Sequence, residues 1–201
     1  MASKSGIIKG LGRVFFKDMS DKEIAEALAA KGQTWMDNST KARMARADKD
    51  YGEELLYHGT GAPDIKEFMP SKSGNLGQGV YLTPNPESAS KRAVLSKYRN
   101  RDKGNAPNVL QTRIKKDLNF YDVDKNPFMD IDTDRLKAQG YDGVRRTEDG
   151  VVQEINIFDP ANIRSTAASF DETLKESSNL LASAAPVALG VGALAGGEEA
   201  E

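Results

Sequence analysis

The sequence predicts an α+β fold in which the strands pair mainly in antiparallel fashion. Several short segments rich in Val, Ile, Leu and aromatic residues are bounded by Gly, Pro, Asn or Asp, which is typical of strands. Few of them are separated by a helix long enough to connect parallel strands, which argues against a doubly wound sheet. With 201 residues, of which 38% are hydrophobic, the chain can form one ordinary core with appended segments.

The distribution of charge divides the chain into three parts. Residues 1–50 carry a net charge of +3, residues 51–164 are neutral, and residues 165–201 carry −5. We therefore expect a basic, helical N-terminal segment over residues 1–50, a folded domain over residues 51–166 and a C-terminal tail over residues 167–201.

The N-terminal segment contains two predicted helices. Ser20 and Glu23 have the spacing of a capping box, and apolar residues then recur at helical intervals, so the first helix should cover residues 21–31. The second helix, over residues 39–49, is basic. Because no aromatic residues interleave with its charges, we interpret its basic face as solvated rather than as a nucleic-acid surface.

The central segment contains the predicted strands and two further helices. The strands are expected at residues 54–58, 79–83, 108–114, 118–123 and 151–159. Asn85 is a cap residue directly before Pro86, which suits a first helical turn, so one helix should cover residues 85–98. The other, over residues 132–140, has a cap residue, a short body and a glycine that stops it.

The C-terminal segment contains an uncharged run, from Leu180 to Gly197, that is followed by three glutamates. The run is slightly shorter than a membrane span, and its Ala, Gly and Pro make it weakly apolar. We expect a flexible apolar tail that docks onto a partner, with membrane contact as the alternative.

The composition argues against several classes of site. The absence of cysteine excludes disulfides and thiolate zinc sites, and a single histidine argues against a His-based metal site, so no metal is expected. The apolar run near the N-terminus is interrupted by Lys9 and Arg13, and no small-residue cleavage pattern follows it. We therefore expect no secretory signal and a cytoplasmic location.

The single histidine, His58, lies in the stretch LLYHGTG at the predicted end of a strand. Tyr81 follows 23 residues later in GQGVYLT, and Glu154 follows 73 residues after that in VVQEINIFDP. Taken separately, these residues have ordinary interpretations as a structural histidine, a packed tyrosine and a solvent-facing glutamate. Their order, and the position of each on a predicted strand or strand edge, indicate one shared site.

This pattern resembles the ADP-ribosyltransferases with a His-Tyr-Glu signature, the group that contains poly(ADP-ribose) polymerases and diphtheria-type toxins. The resemblance covers residues 54–166 and implies a split β-sheet core. The flanking stretches, ARMARADKDYGEELLYHGT before and FDPANIRSTAASFD after, look like ADP-ribosyltransferase modules of tailed-phage and prophage polyvalent proteins.

The resemblance implies that NAD is the substrate and gives each residue a role. His58 would hydrogen-bond the adenosine ribose, the Gly59 backbone would pair with the nicotinamide carboxamide, and Tyr81 would stack on the nicotinamide ring. Glu154 would bind the nicotinamide-ribose 2′-hydroxyl, stabilise the cationic transition state and orient the acceptor. Gly59 and Thr60 are small and would let NAD approach the backbone.

The helix after Tyr81 bears on the same pocket. Ser88 matches a serine that bonds the carboxamide in the polymerase branch of the family, whereas Lys91 stands where a second stacking aromatic is expected. Residues 91–105 carry six basic residues and one acidic residue. This stretch is either a solvated loop or an edge that attracts the NAD pyrophosphate or an acidic or nucleic-acid target.

The predicted function is mono-ADP-ribosyl transfer from NAD to a host protein or nucleic acid, by a phage-encoded protein in the bacterial cytoplasm. One alternative is a non-catalytic virion or ejection protein that retains the fold. It is favoured by Lys91 and by a tail suited to binding other virion proteins. The other alternative is an NAD glycohydrolase, in which water replaces the acceptor.

Overall fold

The computed structural model of the chain describes residues 4–8, 12–16, 20, 22–23, 26, 35–37, 39–62, 65–99, 107–124 and 131–181. The chain divides into two compact units, Met1–Ser39 with Ala184–Glu201, and Thr40–Ser183. The second unit contains every residue that the sequence predicts for the site.

The first unit contains a small antiparallel sheet that the sequence pattern did not predict. Strand β1 (Lys4–Ile8) lies between β2 (Gly12–Phe16) and β3 (Trp35–Asp37). The Ile, Val and Phe residues of β1 and β2 favour strands, but the glycines and charges among them weaken the pattern. This sheet therefore adds strands to a segment for which the sequence analysis predicted helices.

The predicted capping box in this unit is present. The N–H of Glu23 donates to Ser20 Oγ over 3.3 Å, and the N–H of Ser20 donates to Glu23 Oε2 over 2.7 Å. Residues 22, 23 and 26 are helical. The other residues of the helix predicted over 21–31 lie outside the described part of the chain.

Seven strands of the second unit form two sheets. The first sheet has the order β10-β6-β4 and comprises β4 (Leu56–Thr60), β6 (Asn108–Ile114) and β10 (Ile163–Ser165). The second has the order β5-β9-β8-β7 and comprises β5 (Val80–Leu82), β7 (Phe120–Asp124), β8 (Gly143–Glu148) and β9 (Val151–Ile157). Among these described strands, β7 and β8 are parallel and the other pairs are antiparallel. The predicted α+β fold with mainly antiparallel pairing is confirmed.

The two sheets meet at an isolated bridge. Tyr57 and Thr83 exchange backbone hydrogen bonds of 2.8 and 3.0 Å there. On its other side, the whole of β4 pairs with β6, whereas β5 pairs with β9. The core is therefore a split sheet, as the resemblance implied.

The main core is packed from residues of both sheets. Leu56 and Ile163 come from the first sheet. The second sheet contributes four buried residues on alternate positions, Val80, Leu82, Ile155 and Ile157. Because successive side chains of a strand point to opposite faces, Tyr81 and Glu154 lie on the face away from this core.

The described residues of the unit also form three helices and two short 3-10 helices. They are α1 (Thr40–Asp50), α2 (Pro86–Arg99), α3 (Thr133–Ala138), Pro160–Asn162 and Glu172–Leu174. The bounds of α1, α2 and α3 agree with the predicted helices to within two residues.

The arginines of α1 attach this helix to the segment that follows β10. Arg43 donates to the carbonyl oxygens of Thr166 (2.9 Å) and Ala168 (3.3 Å), and Arg46 donates to that of Ser169 (2.9 Å). The interpretation of a wholly solvated basic face is therefore wrong for these two arginines, because their guanidinium groups bond within the fold.

The second unit extends beyond the predicted domain of residues 51–166 at both ends. It includes α1, and it includes residues 167–181, among which Phe170 and Leu180 are buried. Ala47 and Tyr51 pack with Phe170 in a satellite cluster, which explains why both ends join the core. Residues 182–201 of the predicted tail lie outside the described residues.

Three strands differ notably from prediction, and one of them, β10 (Ile163–Ser165), was not predicted at all. β4 begins and ends later than expected, so His58 lies in the middle of the strand rather than at its end. β8 was not predicted because its sequence, GVRRTE, is highly charged. Its arginines pair with acidic residues of the neighbouring strands, Arg145 with Asp122 at 2.7 Å and Arg146 with Glu154 at 3.9 Å.

Candidate active site

His58 lies at the centre of β4 and is held by the backbone of β5. Its Nδ1 is 2.9 Å from the carbonyl oxygen of Tyr81. Because a carbonyl oxygen can only accept, Nδ1 carries the proton, and Nε2 of the neutral ring is left as an acceptor. The ring of Phe68 packs edge-on against the imidazole, with the ring centroids 4.7 Å apart.

Burial lowers the pKa of His58 below its ordinary value of 6.5. The hydrogen bond to Tyr81 acts in the opposite direction, and the positive charge of Arg92 lowers the pKa further. The imidazole is therefore neutral at pH 7, and its tautomer is set by Tyr81.

The pairing of β4 with β5 stops beyond the bridge between Tyr57 and Thr83. A continued antiparallel ladder would place Gly59 opposite Tyr81, but the carbonyl of Tyr81 bonds His58 instead. Tyr57 directs its N–H and C=O towards β5, and residues two apart on a strand point the same way. The N–H and C=O of Gly59 therefore point away from β6, into the opening between the sheets.

Helix α2 packs so closely on β4 that there is no room for a side chain at Gly59. A Cβ at this position would overlap the carbonyl oxygen of Ala89 and would lie 2.9 Å from the backbone nitrogen of Ala93. The glycine therefore lets the helix pack closely on the strand. This packing gives a structural reason for the glycine, and the approach of NAD to its backbone stays a prediction.

Thr60 follows Gly59 on β4, and Ser88 precedes Ala89 on α2, so both are sequence neighbours of residues in this helix–strand contact. Thr60 is buried, and its hydroxyl accepts the N–H of Ala62 over 3.1 Å, which stabilises the turn after β4. Ser88 is half-buried in the first turn of α2, where its N–H donates to Asn85 Oδ1 over 3.2 Å. Asn85 is thus the helix cap that the sequence predicts.

The hydroxyl of Tyr81 is bonded on two sides. It donates to the carbonyl oxygen of Gly77 over 2.6 Å and accepts the N–H of Leu76 over 3.1 Å. The buried side chain of Asn156 holds the same loop by donating to the carbonyls of Leu76 (2.7 Å) and Gln78 (3.1 Å). Burial raises the pKa of Tyr81, so the hydroxyl stays protonated, and the loop fixes the orientation of its ring.

Glu154 is the buried carboxylate of the site, with 7% of its side chain exposed. Arg92 of α2 forms an ion pair with Oε1, and Nε of Arg146 on β8 lies 3.9 Å from Oε2. Burial raises the pKa of Glu154, and the charges of Arg92 and Arg146 act in the opposite direction. Because an ionised carboxylate is costly to bury, its charged form depends on these two arginines.

The structure brings His58, Tyr81 and Glu154 together. Tyr81 pairs with Asn156 on β9, and Glu154 lies two residues from Asn156, so Tyr81 and Glu154 are diagonal neighbours on one sheet face. His58 bonds the Tyr81 backbone from the adjacent sheet. Strands β4, β5 and β9 therefore supply the three residues that the sequence singles out.

The sequence interpretation missed the two arginines at Glu154. It considered Lys91 instead, but Lys91 is exposed and forms an ion pair with Glu87 at 2.9 Å. The next residue, Arg92, is the one that reaches Glu154. A signal was available, since Arg92 follows Ser88 by four residues and four residues bring helical side chains to the same face.

Membrane-crossing helices and clusters of possible metal ligands were sought among the described residues. Within them, no helix combines the length and the apolar composition needed to span a bilayer. The same residues contain no group of three or more His, Cys, Asp or Glu side chains placed to hold a metal ion.

The split α+β fold is that of an ADP-ribosyltransferase-like protein. A family model described as "ADP-Ribosyltransferase in polyvalent proteins" matches residues 48–172, which is more than half of the chain. The chain therefore belongs to the ADP-ribosyltransferase family of polyvalent proteins. Searches of the curated proteins and of the solved structures give no significant match.

Membership of this family supports ADP-ribosyltransferase activity in general, and enzymes of this class generally use NAD as their substrate. The matched region begins within α1 and ends within the segment after β10. It thus includes both sheets of the second unit and every residue of the site described above.

Proposed function

We propose that the protein transfers a single ADP-ribose unit from NAD to a macromolecule of a bacterial host. The observation that carries this proposal is the buried Glu154 carboxylate, on the same sheet face as Tyr81 and next to the parting of β4 and β5. Buried carboxylates with raised pKa values are concentrated at functional sites, because folding alone seldom needs them.

The groups around the opening suit the separate parts of NAD. The N–H and C=O of Gly59 match the acceptor and donor of a carboxamide, and the Ser88 hydroxyl lies in the helix that packs on this glycine. The fixed ring of Tyr81 suits stacking on nicotinamide. Nε2 of His58 can accept a ribose hydroxyl. Thr60 contributes by shaping the turn after β4.

Glu154 supplies the charge that the reaction needs. Transfer breaks the bond between ribose C1′ and the nicotinamide nitrogen, and the electron pair leaves with neutral nicotinamide. Glu154 accepts a hydrogen bond from the 2′-hydroxyl and stabilises the positive charge that develops on the ribose. A lone pair of the acceptor then forms the new bond to C1′, and the acceptor releases its proton.

The test compares the wild type with Glu154→Gln and with Glu148→Gln. Glu148 is an exposed glutamate on β8 and is the matched control. Each protein is incubated with labelled NAD and a bacterial lysate, and both macromolecular label and free nicotinamide are measured. We expect Glu154→Gln to lower both signals by about 100-fold or more, because it removes a charge aimed at the transition state, and Glu148→Gln to behave like the wild type.

The two readouts separate the alternatives. Label that depends on Glu154 supports transfer and leads to its target by mass spectrometry. Nicotinamide release without label would indicate an NAD glycohydrolase. Neither signal, together with no NAD binding by calorimetry, would favour a non-catalytic role in the virion.

The phage setting belongs to the same proposal. The name of the family, which refers to polyvalent proteins, suggests a phage setting. We propose action in the host cytoplasm, either after synthesis there or after delivery from a virion. Virion proteins, or a membrane, are the proposed partners of residues 182–201. Finding the protein in purified particles would support packaging, and its absence there would limit it to synthesis after infection.

A further inference from the structure

Arg92 lies at the junction of the site's three strands. Its helix packs on β4 at Gly59, and its side chain reaches Glu154 on β9. Its charge also acts on His58 and on Tyr81. One side chain therefore bears on all three residues of the proposed site.

The ion pair between Arg92 and Glu154 is asymmetric. The Arg92 side chain is 48% exposed, whereas that of Glu154 is 7% exposed. Glu154 is thus held in the sheet, and Arg92 has one side open to solvent. If Arg92 moves away, the carboxylate still has Arg146, which lies near the other oxygen and is 20% exposed.

This pairing restricts access to the carboxylate of Glu154. Arg92 occupies Oε1 of Glu154, and Oε2 faces Arg146. Only 7% of the Glu154 side chain is exposed, so movement of Arg92, the more exposed of the two arginines, would open Oε1 to a ribose 2′-hydroxyl. A displaced guanidinium needs a new anion, and a pyrophosphate offers the oxygen pairs that arginine binds best.

We propose that Arg92 exchanges partners when NAD binds. Its guanidinium group leaves Oε1 of Glu154 and binds a pyrophosphate oxygen of the dinucleotide. This inference rests on the proposed NAD-dependent function. It makes Arg92 a specificity determinant, because a ligand with a pyrophosphate compensates the lost ion pair and a ligand without one does not.

The test measures binding by calorimetry for the wild type, Arg92→Gln and Lys91→Gln. Lys91 is the adjacent exposed cation of the same helix and is the matched control. The ligands are NAD, ADP-ribose and nicotinamide riboside, of which the last lacks a pyrophosphate. We expect Arg92→Gln to weaken binding of NAD and ADP-ribose by about 10- to 100-fold, while nicotinamide riboside binds at least as tightly as before.

A second variant keeps the inference testable if Arg92→Gln does not fold. Arg92→Lys keeps the charge without the two-pronged guanidinium, so its ADP-ribose affinity should lie between those of the wild type and Arg92→Gln. Circular dichroism establishes that each variant is folded. If Arg92→Gln does not fold, the comparison of Arg92→Lys with Lys91→Gln decides, and equal ADP-ribose affinities would overturn the inference.

Unchanged or tighter binding of ADP-ribose by folded Arg92→Gln would also overturn it and leave Arg92 as a simple counter-ion of Glu154. That failure differs from failure of the proposed function. If the wild type turns over NAD while Arg92→Gln keeps its affinity for ADP-ribose, only the proposed partner exchange is wrong. If the wild type neither binds nor consumes NAD, the proposed function fails as well.

Discussion

At the residue scale, burial shifts the charge states of the site towards neutrality. It lowers the pKa of His58 and raises that of Glu154. Arg92 and Arg146 oppose this tendency at Glu154, whereas the charge of Arg92 reinforces it at His58. Both arginines therefore favour a charged carboxylate, and Arg92 also favours a neutral imidazole beside it.

Because the pKa of His58 is lowered in the folded protein, we expect the free energy of unfolding to depend on pH. A histidine whose folded pKa is depressed stabilises the fold above its unfolded pKa of about 6.5, and this stability is lost as the pH falls. His58→Asn keeps an N–H donor for Tyr81 but does not titrate. We expect the wild type to lose more stability than His58→Asn between pH 7.5 and 5.5, as measured by urea unfolding.

The difference between the wild type and His58→Asn reports the titration of a single histidine, because the chain contains no other. Carboxylates with lowered pKa values, such as Asp122 beside Arg145, begin to contribute at lower pH and do so in both proteins. Each unit of pKa depression corresponds to about 1.4 kcal/mol. Parallel stability curves for the two proteins would contradict the prediction.

At the scale of elements, the site depends on how closely α2 approaches β4. The helix carries Ser88 and Arg92, and the strand carries His58 and Gly59. The contact at Gly59 sets the distance between them, because the carbonyl of Ala89 lies where a side chain would be. A small change at this contact therefore moves Arg92 relative to Glu154.

Gly59→Ala is expected to destabilise the protein and to reduce NAD binding. The added methyl group meets backbone atoms of α2 rather than a movable side chain, so the helix has to shift. Overpacking of this kind costs about 1–3 kcal/mol. Unfolding in urea measures the stability, and calorimetry with NAD measures the binding.

Gly52→Ala is the matched control for this substitution. A Cβ at Gly52 would lie 3.8 Å from the carbonyl oxygen of Ile114, which is an ordinary contact. We expect its effect on the free energy of unfolding to stay within about 0.5 kcal/mol. Equal effects of the two substitutions would show that the contact between α2 and β4 is not tight.

At the scale of the whole molecule, the segment after β10 completes the second unit. Arg164 is 1% exposed and donates to four backbone carbonyls, those of Ala161, Ile163, Leu174 and Lys175. Two of these acceptors belong to the segment after β10. Leu180 extends the main core, and its N–H donates to the carbonyl of Lys66 over 2.9 Å.

Two truncated chains distinguish the contribution of this segment to stability from that of the residues beyond it. A chain that ends at Ser183 is expected to keep the thermal transition of the second unit. A chain that ends at Ser165 leaves the buried guanidinium of Arg164 without two acceptors and removes Leu180 from the core, so it should not fold cooperatively. Scanning calorimetry measures both, and a retained transition in the shorter chain would contradict the prediction.

The sequence by itself determined the fold class and most of the element positions in the second unit. Hydrophobic runs set off by turn residues predict strands, and caps such as Asn85 predict helix starts, because both signals are local. The order of His58, Tyr81 and Glu154, with the motifs around them, was also sufficient to identify the family. None of this required knowledge of how the strands pair.

The tertiary structure decided which groups meet. Arg92 and Arg146 reach Glu154 from different elements, and the charged strand β8 is stabilised by ion pairs with both neighbouring strands. Gly59 is small because a helix passes over it, which no pattern within β4 reveals. These features depend on contacts between distant segments, whose free energy appears only once the chain has folded, and sequence periodicity reports local structure alone.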